Sequence, residues 1–312
     1  MYTAPLGIDI WRGRHQATYV HTGATLMVSV VIPTLNAGAC LEALLTRLEE
    51  QTVSCDILVV DSSSSDASRA IAESHGVKTI TIEREDFNHG GTRNLAVREA
   101  SGDVVVFLTQ DVLPEDKKCI ESLIRPLEDP KIAACYGRQL PRDDASPTER
   151  FARGFNYPET PRLKSMDSVS ELGIKTFFFS NACSAVRRKE FEEVGGFPED
   201  VVMFEDMLLA ARLLEKGYNI MYTPEARVIH SHNLSLGQQF RRYLDAGATF
   251  KRHPWFLALS GSGREGWAFL LEELRYLARV RKYHWIPYAL AEAGFKFCGY
   301  TMGLRLGRKA TG

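Results

Sequence analysis

The sequence predicts an α/β fold: a mostly parallel central sheet flanked by helices, with a helical appendage at the C-terminal end. Three observations carry the prediction. Short runs rich in β-branched residues, Val28–Ile32, Ile57–Val60 and Val104–Leu108, read as strands buried on both faces. Segments with the helical spacing of apolar residues lie between them, so parallel pairing through right-handed crossovers is expected. Each run also ends in a polar cluster: Pro33-Thr34-Leu35-Asn36, Asp61-Ser62-Ser63 and Thr109-Gln110-Asp111. Those ends converge on one edge of the sheet, the place where open α/β sheets bind ligands.

In chain order, residues 1–26 mix Gly7, Gly13 and Gly23 with isolated aromatics and read as a flexible N-terminal tail, with Met27 an alternative start. After the first strand, apolar residues at 41, 44, 45 and 48 predict a helix over Leu41–Gln51. Asp66 is a natural N-cap for a helix over Ala67–His75, Val77–Ile82 is a third strand, and Asn94–Glu99 is a short helix. Pro114 is expected to stop pairing after the strand at 104–108. Cys119–Leu127 reads as helical and Ala133–Tyr136 as a strand. Residues 141–172, with prolines at 141, 147, 158 and 161, read as a polar excursion able to close over a ligand. Phe177–Arg188 is predicted as a strand, Leu208, Leu209, Arg212 and Leu213 as one face of a helix, and Asn219–Tyr222 as a strand. From Gln238 onward the chain is helical and basic-aromatic.

At 312 residues the chain exceeds the usual single domain. We divide it into the tail at 1–26, an α/β domain at 27–237 and a helical region at 238–312. A net charge of -1 without global asymmetry gives no sign of a nucleic-acid partner. Six scattered cysteines form no CxxC pair and no zinc spacing, as reduced cytosolic thiols would. No signal peptide and no charge-free apolar run of membrane-spanning length stand out. There is no GxGxxG after the first strand and no GxxxxGK[ST] anywhere, so a phosphate must be held some other way. A divalent cation on Asp111 would do so, because hard cations take oxygen from carboxylate and diphosphate together. The bland alternative for Asp111 is a helix cap, and for Asp61 a turn residue.

The segments VVIPTLNAG at 30–38, ILVVDSSSSD at 57–66, NHGGTRNLA at 88–96 and VVVFLTQD at 104–111, in that order, resemble the family 2 glycosyltransferases, which have the GT-A fold. Phe87–Asn94 and the Thr-Gln-Asp variant look like the rhamnosyltransferase branch. The resemblance spans about residues 27–250.

It implies that Pro33, Thr34 and Asn36 line a nucleotide pocket and that Asp61 accepts the pyrimidine N3–H. An acceptor-only carboxylate there selects uracil or thymine over cytosine. Arg93 would reach the diphosphate, with a surface salt bridge as the bland alternative. The family's Asp-x-Asp is here Thr109-Gln110-Asp111. The ribose contact of the first carboxylate is lost, as suits a deoxythymidine nucleotide, and the metal-binding one is kept. His230, in preference to His232, would join Asp111 at a Mg²⁺ or Mn²⁺ ion. Asn181 would contact donor or acceptor. Asp206 would be the general base and Glu205 would position the acceptor or the helix; the bland reading of both is helix-dipole complementarity.

The implied activity is inverting transfer of a sugar from a nucleotide-diphosphate donor, dTDP-L-rhamnose, onto a cell-surface glycan or lipid-linked saccharide. A UDP-hexose donor and a non-catalytic nucleotide- or carbohydrate-binding module are the alternatives. The resemblance and the basic-aromatic helices at 238–312 together imply a cytoplasmic protein in peripheral contact with the inner face of the cell membrane. A solvated face packed on the catalytic domain is the competing view of those helices.

Overall fold

The computed structural model describes residues 26–260 and 265–306. The expected N-terminal tail therefore falls almost wholly outside the described residues.

The strands are β1 Val28–Thr34, β2 Asp56–Asp61, β3 Lys78–Thr81, β4 Val104–Leu108, β5 Leu113–Pro114, β6 Ile132–Leu140, β7 Arg162–Lys164, β8 Cys183–Arg187 and β9 Asn219–Ile229. They form one sheet in the order β3-β2-β1-β4-β8-β6-β9-β5, with β7 paired to β9. β3, β2, β1 and β4 are parallel, as their alternation with helices dictates. Beyond β4 the sheet is mixed. β8 runs antiparallel to β4 and β6, β6 and β9 are parallel, and β5 and β7 run antiparallel to β9. The antiparallel step matters for the site. Cys183 at the start of β8 lies opposite Leu108 at the end of β4, so the chain just before β8 meets the chain just after β4.

The helices are α1 Gly38–Glu49, α2 Ser68–Ser74, α3 His89–Glu99, α4 Cys119–Ile124, α5 Pro147–Asn156 and α6 Val169–Leu172 in the first part. They continue as α7 Arg188–Glu193, α8 Glu205–Glu215, α9 Leu236–Arg252, α10 Pro254–Ser260, α11 Glu265–Arg279 and α12 Ile286–Leu306. Helices cover both faces of the sheet, which explains why β4 is apolar at every position and wholly buried. Alternate β1 residues serve two cores. Val30 and Ile32 pack with Leu41, Leu44 and Leu45 of α1, while Val31 packs with Phe107 and with Leu208 and Leu209 of α8. Each such aliphatic side chain contributes about 1.5–3 kcal/mol on burial. Phe250 of α9 and Phe256 of α10 belong to the α8 core, so the C-terminal helices share the interior of the sheet domain.

α9 and α12 approach backbone to backbone at their glycines. A Cβ on Gly247 would lie 2.2 Å from the Tyr300 carbonyl oxygen, and one on Gly303 would lie 2.1 Å from that of Leu244. Only glycine permits so close an approach.

Four expectations need correction. Pro114 does not end pairing: with Leu113 it forms the two-residue edge strand β5 against Val228 and Ile229, and its missing N–H is tolerated because the strand is short and at the edge. Phe177–Arg188 is not one strand. Phe177 closes a 3-10 turn, and only Cys183–Arg187 pairs, because Ser180 and Asn181 are drawn into polar contacts described below. The excursion at 141–172 is partly regular, with α5 and β7 within it, and Lys164 of β7 is fully buried, donating to the Phe178 carbonyl. Asp66 is not the N-cap of α2, which is Ala67; from one residue further back its carboxylate accepts from Ser68 N–H at 3.0 Å and also from Gly38 N–H at 2.9 Å at the start of α1, so it serves two helices.

Candidate active site

The ends of β1, β2 and β4 lie side by side, with Thr34 in register with Asp61. Asn36 turns the chain out of β1 in the left-handed region, φ 48°, and its Oδ1 accepts from Ser65 N–H at 2.9 Å. Asn tolerates this conformation better than most residues. Gln110 clips the two loops together: its Oε1 accepts from Leu35 N–H at 2.7 Å and its Nε2 donates to the Leu35 carbonyl at 3.2 Å. Thr34 donates to its own strand at Ile32 O, and Pro33 is half-buried beside it.

Asp61 is fully buried. Its Oδ2 accepts from Ser64 N–H at 2.9 Å, while its Oδ1 has no partner, and neither does the buried Thr109 Oγ1. An unpaired buried acceptor costs about 1–3 kcal/mol, which a ligand N–H would recover.

A second cluster forms where the chain leaves β4 and β9. Asp111, His230 and His232 bring one ligand atom each to within 4.8 Å of one another. His230 Nε2 is 3.5 Å and His232 Nε2 3.1 Å from the Asp111 carboxylate, and the two Nε2 atoms are 3.0 Å apart. The sequence favours His230 over His232; the structure brings both imidazoles in, as their i, i+2 spacing permits.

Gln139 on β6 sets the tautomer of His230. Its Oε1 is an acceptor 2.8 Å from Nδ1, so Nδ1 carries the proton and Nε2 presents a lone pair to the cluster. Gln139 is itself oriented, accepting from Arg153 and donating to Ser180 Oγ. A carboxylate and two imidazoles facing one another with their lone pairs suit a divalent cation. Burial resists the charge on Asp111, but the two imidazoles outweigh it and hold the carboxyl well below its ordinary range. Burial pushes His230 down, towards the neutral ring a metal ligand needs.

The third cluster sits at the start of α8. Phe204, at φ 67°, is held in the left-handed region, a strained position for a bulky side chain, and the following turn points Glu205 and Asp206 inward. α9 braces this turn: Thr249 Oγ1 donates to Met203 O at 3.1 Å, and the Phe204 and Phe250 rings lie 5.4 Å apart. Asp206 accepts from its neighbour Met207 N–H at 2.8 Å and from Asn181 N–H at 3.4 Å. Its carboxyl is pushed up to about 7, first by burial and then by the charge of Glu205, which Met207 N–H and Arg93 only partly offset.

Glu205 Oε1 accepts from Arg93 at 3.1 Å and from Asn181 Nδ2 at 3.2 Å. Arg93 is 3 % exposed, and its other partner is the His89 carbonyl. The guanidinium Nη1 is thus committed to Glu205 and the His89 carbonyl, while the buried Nε has no partner. The bland expectation of a surface salt bridge for Arg93 fails, because the pair is buried.

Sequence reasoning missed what the Asn88–Asn94 segment holds. Asn88 caps α3 through Gly90 and Gly91 N–H and donates to the carbonyls of Glu199 and Val201. Asn94 accepts from Phe197 N–H at 2.9 Å and donates back to the Phe197 carbonyl. A Cβ on Gly90 would lie 2.2 Å from Pro198 O. The segment staples the loop that leads into Glu205 and Asp206.

One metal-competent cluster, one orphaned acceptor at a strand end and one carboxyl that titrates near neutrality, on one sheet edge, define a site of the nucleotide-sugar transferase kind. The model of the family described as glycosyl transferase family 2 matches residues 29–195, and the chain belongs to that family. It is 41% identical over 282 residues to the O-antigen chain rhamnosyltransferase RfbN of Salmonella typhimurium, covering 89% of this chain and 90% of the relative. It is 42% identical over 279 residues to the O-antigen chain rhamnosyltransferase WbaN of Salmonella anatum, covering 88% of each. Among solved structures, the mannosyltransferase PcManGT from Pyrobaculum calidifontis, in complex with GDP-Man and Mn²⁺, matches with a TM-score of 0.63 at 19% identity over 90% of this chain and 88% of that one. That likeness confirms the GT-A-type fold. The chain is a glycosyltransferase.

Proposed function

We propose that this enzyme transfers L-rhamnose with inversion from dTDP-L-rhamnose to a growing O-antigen-type glycan. The observation that carries the reading is the pairing of the Asp111–His230–His232 cluster with Asp206, whose carboxyl titrates at about 7. The identity to two rhamnosyltransferases over nearly the whole chain supports the sugar and the acceptor class.

In this reading Asp61 Oδ1 accepts the thymine N3–H. Asp111, His230 and His232 would hold Mg²⁺ or Mn²⁺, which supplies positive charge for the departing diphosphate. Asp206 takes the proton of the acceptor hydroxyl as its oxygen bonds to C1 and the C1–O bond to dTDP breaks on the opposite face. Glu205, held by Arg93 and Asn181, keeps Asp206 basic enough to do so.

The test is release of dTDP from dTDP-L-rhamnose, compared with UDP-glucose and UDP-galactose, with and without Mn²⁺ or Mg²⁺. Metal-dependent turnover of the rhamnose donor, lost in Asp206→Asn, is expected. Turnover of a UDP-hexose instead would overturn the donor, and absence of nucleotide-sugar binding would overturn the whole reading.

The same reading places the protein on the inner face of the cell membrane as a peripheral protein. No described helix is long and apolar enough to cross a membrane. Trp267, Leu271, Tyr283, Phe295 and Phe297 are exposed along α11, α12 and the turn between them, interspersed with exposed Arg275, Arg279, Arg281 and Lys282. Apolar side chains with a basic margin match an anionic bilayer surface. Co-sedimentation with phosphatidylglycerol-containing vesicles, weakened by Trp267→Ala with Phe297→Ala, is the expected result; equal sedimentation with neutral and anionic vesicles would overturn it.

A further inference from the structure

Beside the cluster of Asp111, His230 and His232 lies a second pocket, walled by α5, α9, α11 and α12 rather than by strand ends. His232 forms part of its rim. The cavity is about 40 Å³, room for three or four oxygens at roughly 10–15 Å³ each. It therefore admits the hydroxyl edge of one sugar ring, not a whole nucleotide.

Its polar groups are nearly all committed. Glu149 accepts from Arg153 at 2.7 Å and from His232 N–H at 3.2 Å. Glu292 accepts from Lys296 at 2.5 Å and from Gln239 Nε2 at 3.1 Å. Glu273 differs: it is 3 % exposed, faces the same cavity, and has no hydrogen-bond or ion-pair partner among the described residues; only the field of the Glu292–Lys296 pair reaches it. A buried carboxylate with no donor is expensive. Burial pushes it up to about 7, with Lys296 pulling it back and Glu292 adding to the rise.

The charge pattern narrows the occupant. Arg153 pairs with Glu149 and Lys296 with Glu292, which leaves no cation free for phosphate or another anion; Glu273 has no counter-ion and is charged only above about pH 7. A neutral polyol fits: its hydroxyls donate to Glu273, and Lys296 and Gln239 can donate in return. The Phe269 ring, packed 5.1 Å from both Phe151 and Phe155 and lying beneath the Lys296 ammonium, closes one end of the cavity, whose lining is otherwise largely polar.

We propose that this pocket is a saccharide subsite that holds a neutral sugar residue of the acceptor glycan, with Glu273 as its principal hydrogen-bond acceptor. The proposal rests on the glycosyltransferase reading above and adds where the acceptor is gripped.

The test titrates methyl α-L-rhamnoside, methyl α-D-mannoside, methyl α-D-galactoside and methyl α-D-glucoside into the full chain with dTDP and diamagnetic Mg²⁺ already bound, by saturation-transfer NMR. Glu273→Gln and Gln239→Ala are compared with wild type, and their melting temperatures verify folding. At pH 8, where Glu273 is ionised, at least one glycoside should bind, and Glu273→Gln should weaken it about 10- to 100-fold, the value of a hydrogen bond to a charged group. The dTDP affinity should not change. Equal glycoside binding to both variants and wild type, or no glycoside binding at 100 mM, would overturn the proposal. So would Mg²⁺ uptake at Glu273, or weaker binding of dTDP-L-rhamnose without weaker glycoside binding. If dTDP itself does not bind, the donor reading fails instead, and the two failures are told apart.

Discussion

Asp111 and Asp206 sit on the same edge of the sheet and are driven in opposite directions. Asp111 leaves β4 into the company of two imidazoles and stays charged; Asp206 opens α8 in a buried turn beside a second carboxylate and titrates at about 7. The chemistry of the residue is identical, so the difference lies entirely in its neighbours. Two carboxyls with separated proton affinities are what a site needs when one must hold a cation and the other must take a proton.

The largest break in this contrast is Asp206→Asn. Transfer should fall by about 10²–10⁴-fold, the usual share of a general base. Stability should move the other way. The folded-state value of about 7 lies above the ordinary 3.8, so the fold favours the neutral carboxyl. Its contribution is fully present below 3.8 and lost as pH rises through about 7. Asn removes the penalty that the charged form carries above that range. Melting temperature at pH 8 should therefore rise in Asp206→Asn, with the gain shrinking towards pH 4.

Next is Arg93→Met, which strands Glu205 beside Asp206. Breaking a buried pair from one side costs about 3–5 kcal/mol, readable by urea unfolding. A fully stable variant with only a raised donor KM would instead place Arg93 on the diphosphate.

A smaller effect follows from Gln139→Leu, which leaves the cluster's ligands intact but frees the His230 ring. Mn²⁺ affinity should weaken about 10- to 100-fold, as for other lost orienting partners, with the fold unchanged by circular dichroism. The mildest probe leaves the sequence alone. Because Asp206 must be charged to act, the wild-type transfer rate should fall about tenfold per pH unit below pH 7. A flat profile down to pH 5 would deny Asp206 the role.

The donor half of this edge was legible in the sequence because its signals are local. β1, β2 and β4 are short runs rich in apolar, β-branched residues that each give way to a polar cluster, and Asp61 and Asp111 stand in those clusters. The rest depends on pairing across long separations. Gln139 lies next to the end of β6, 91 residues from His230, and only the β6–β9 register brings them together. Asn94 reaches Phe197 across 103 residues, so its role as a staple has no local trace. Phe177–Arg188 misled for the opposite reason: its β-prone composition reads as a strand, yet Asn181 is pulled aside by Glu205.

The glycine contact between α9 and α12 has a consequence for how the enzyme would work at a surface. With backbone against backbone, no side chain can flex to change the spacing, and α9 in turn braces the turn at Phe204. The outer helix therefore acts as a rigid handle on the reaction centre. Whatever contacts α12 from outside would bear directly on the position of the turn that carries Glu205 and Asp206.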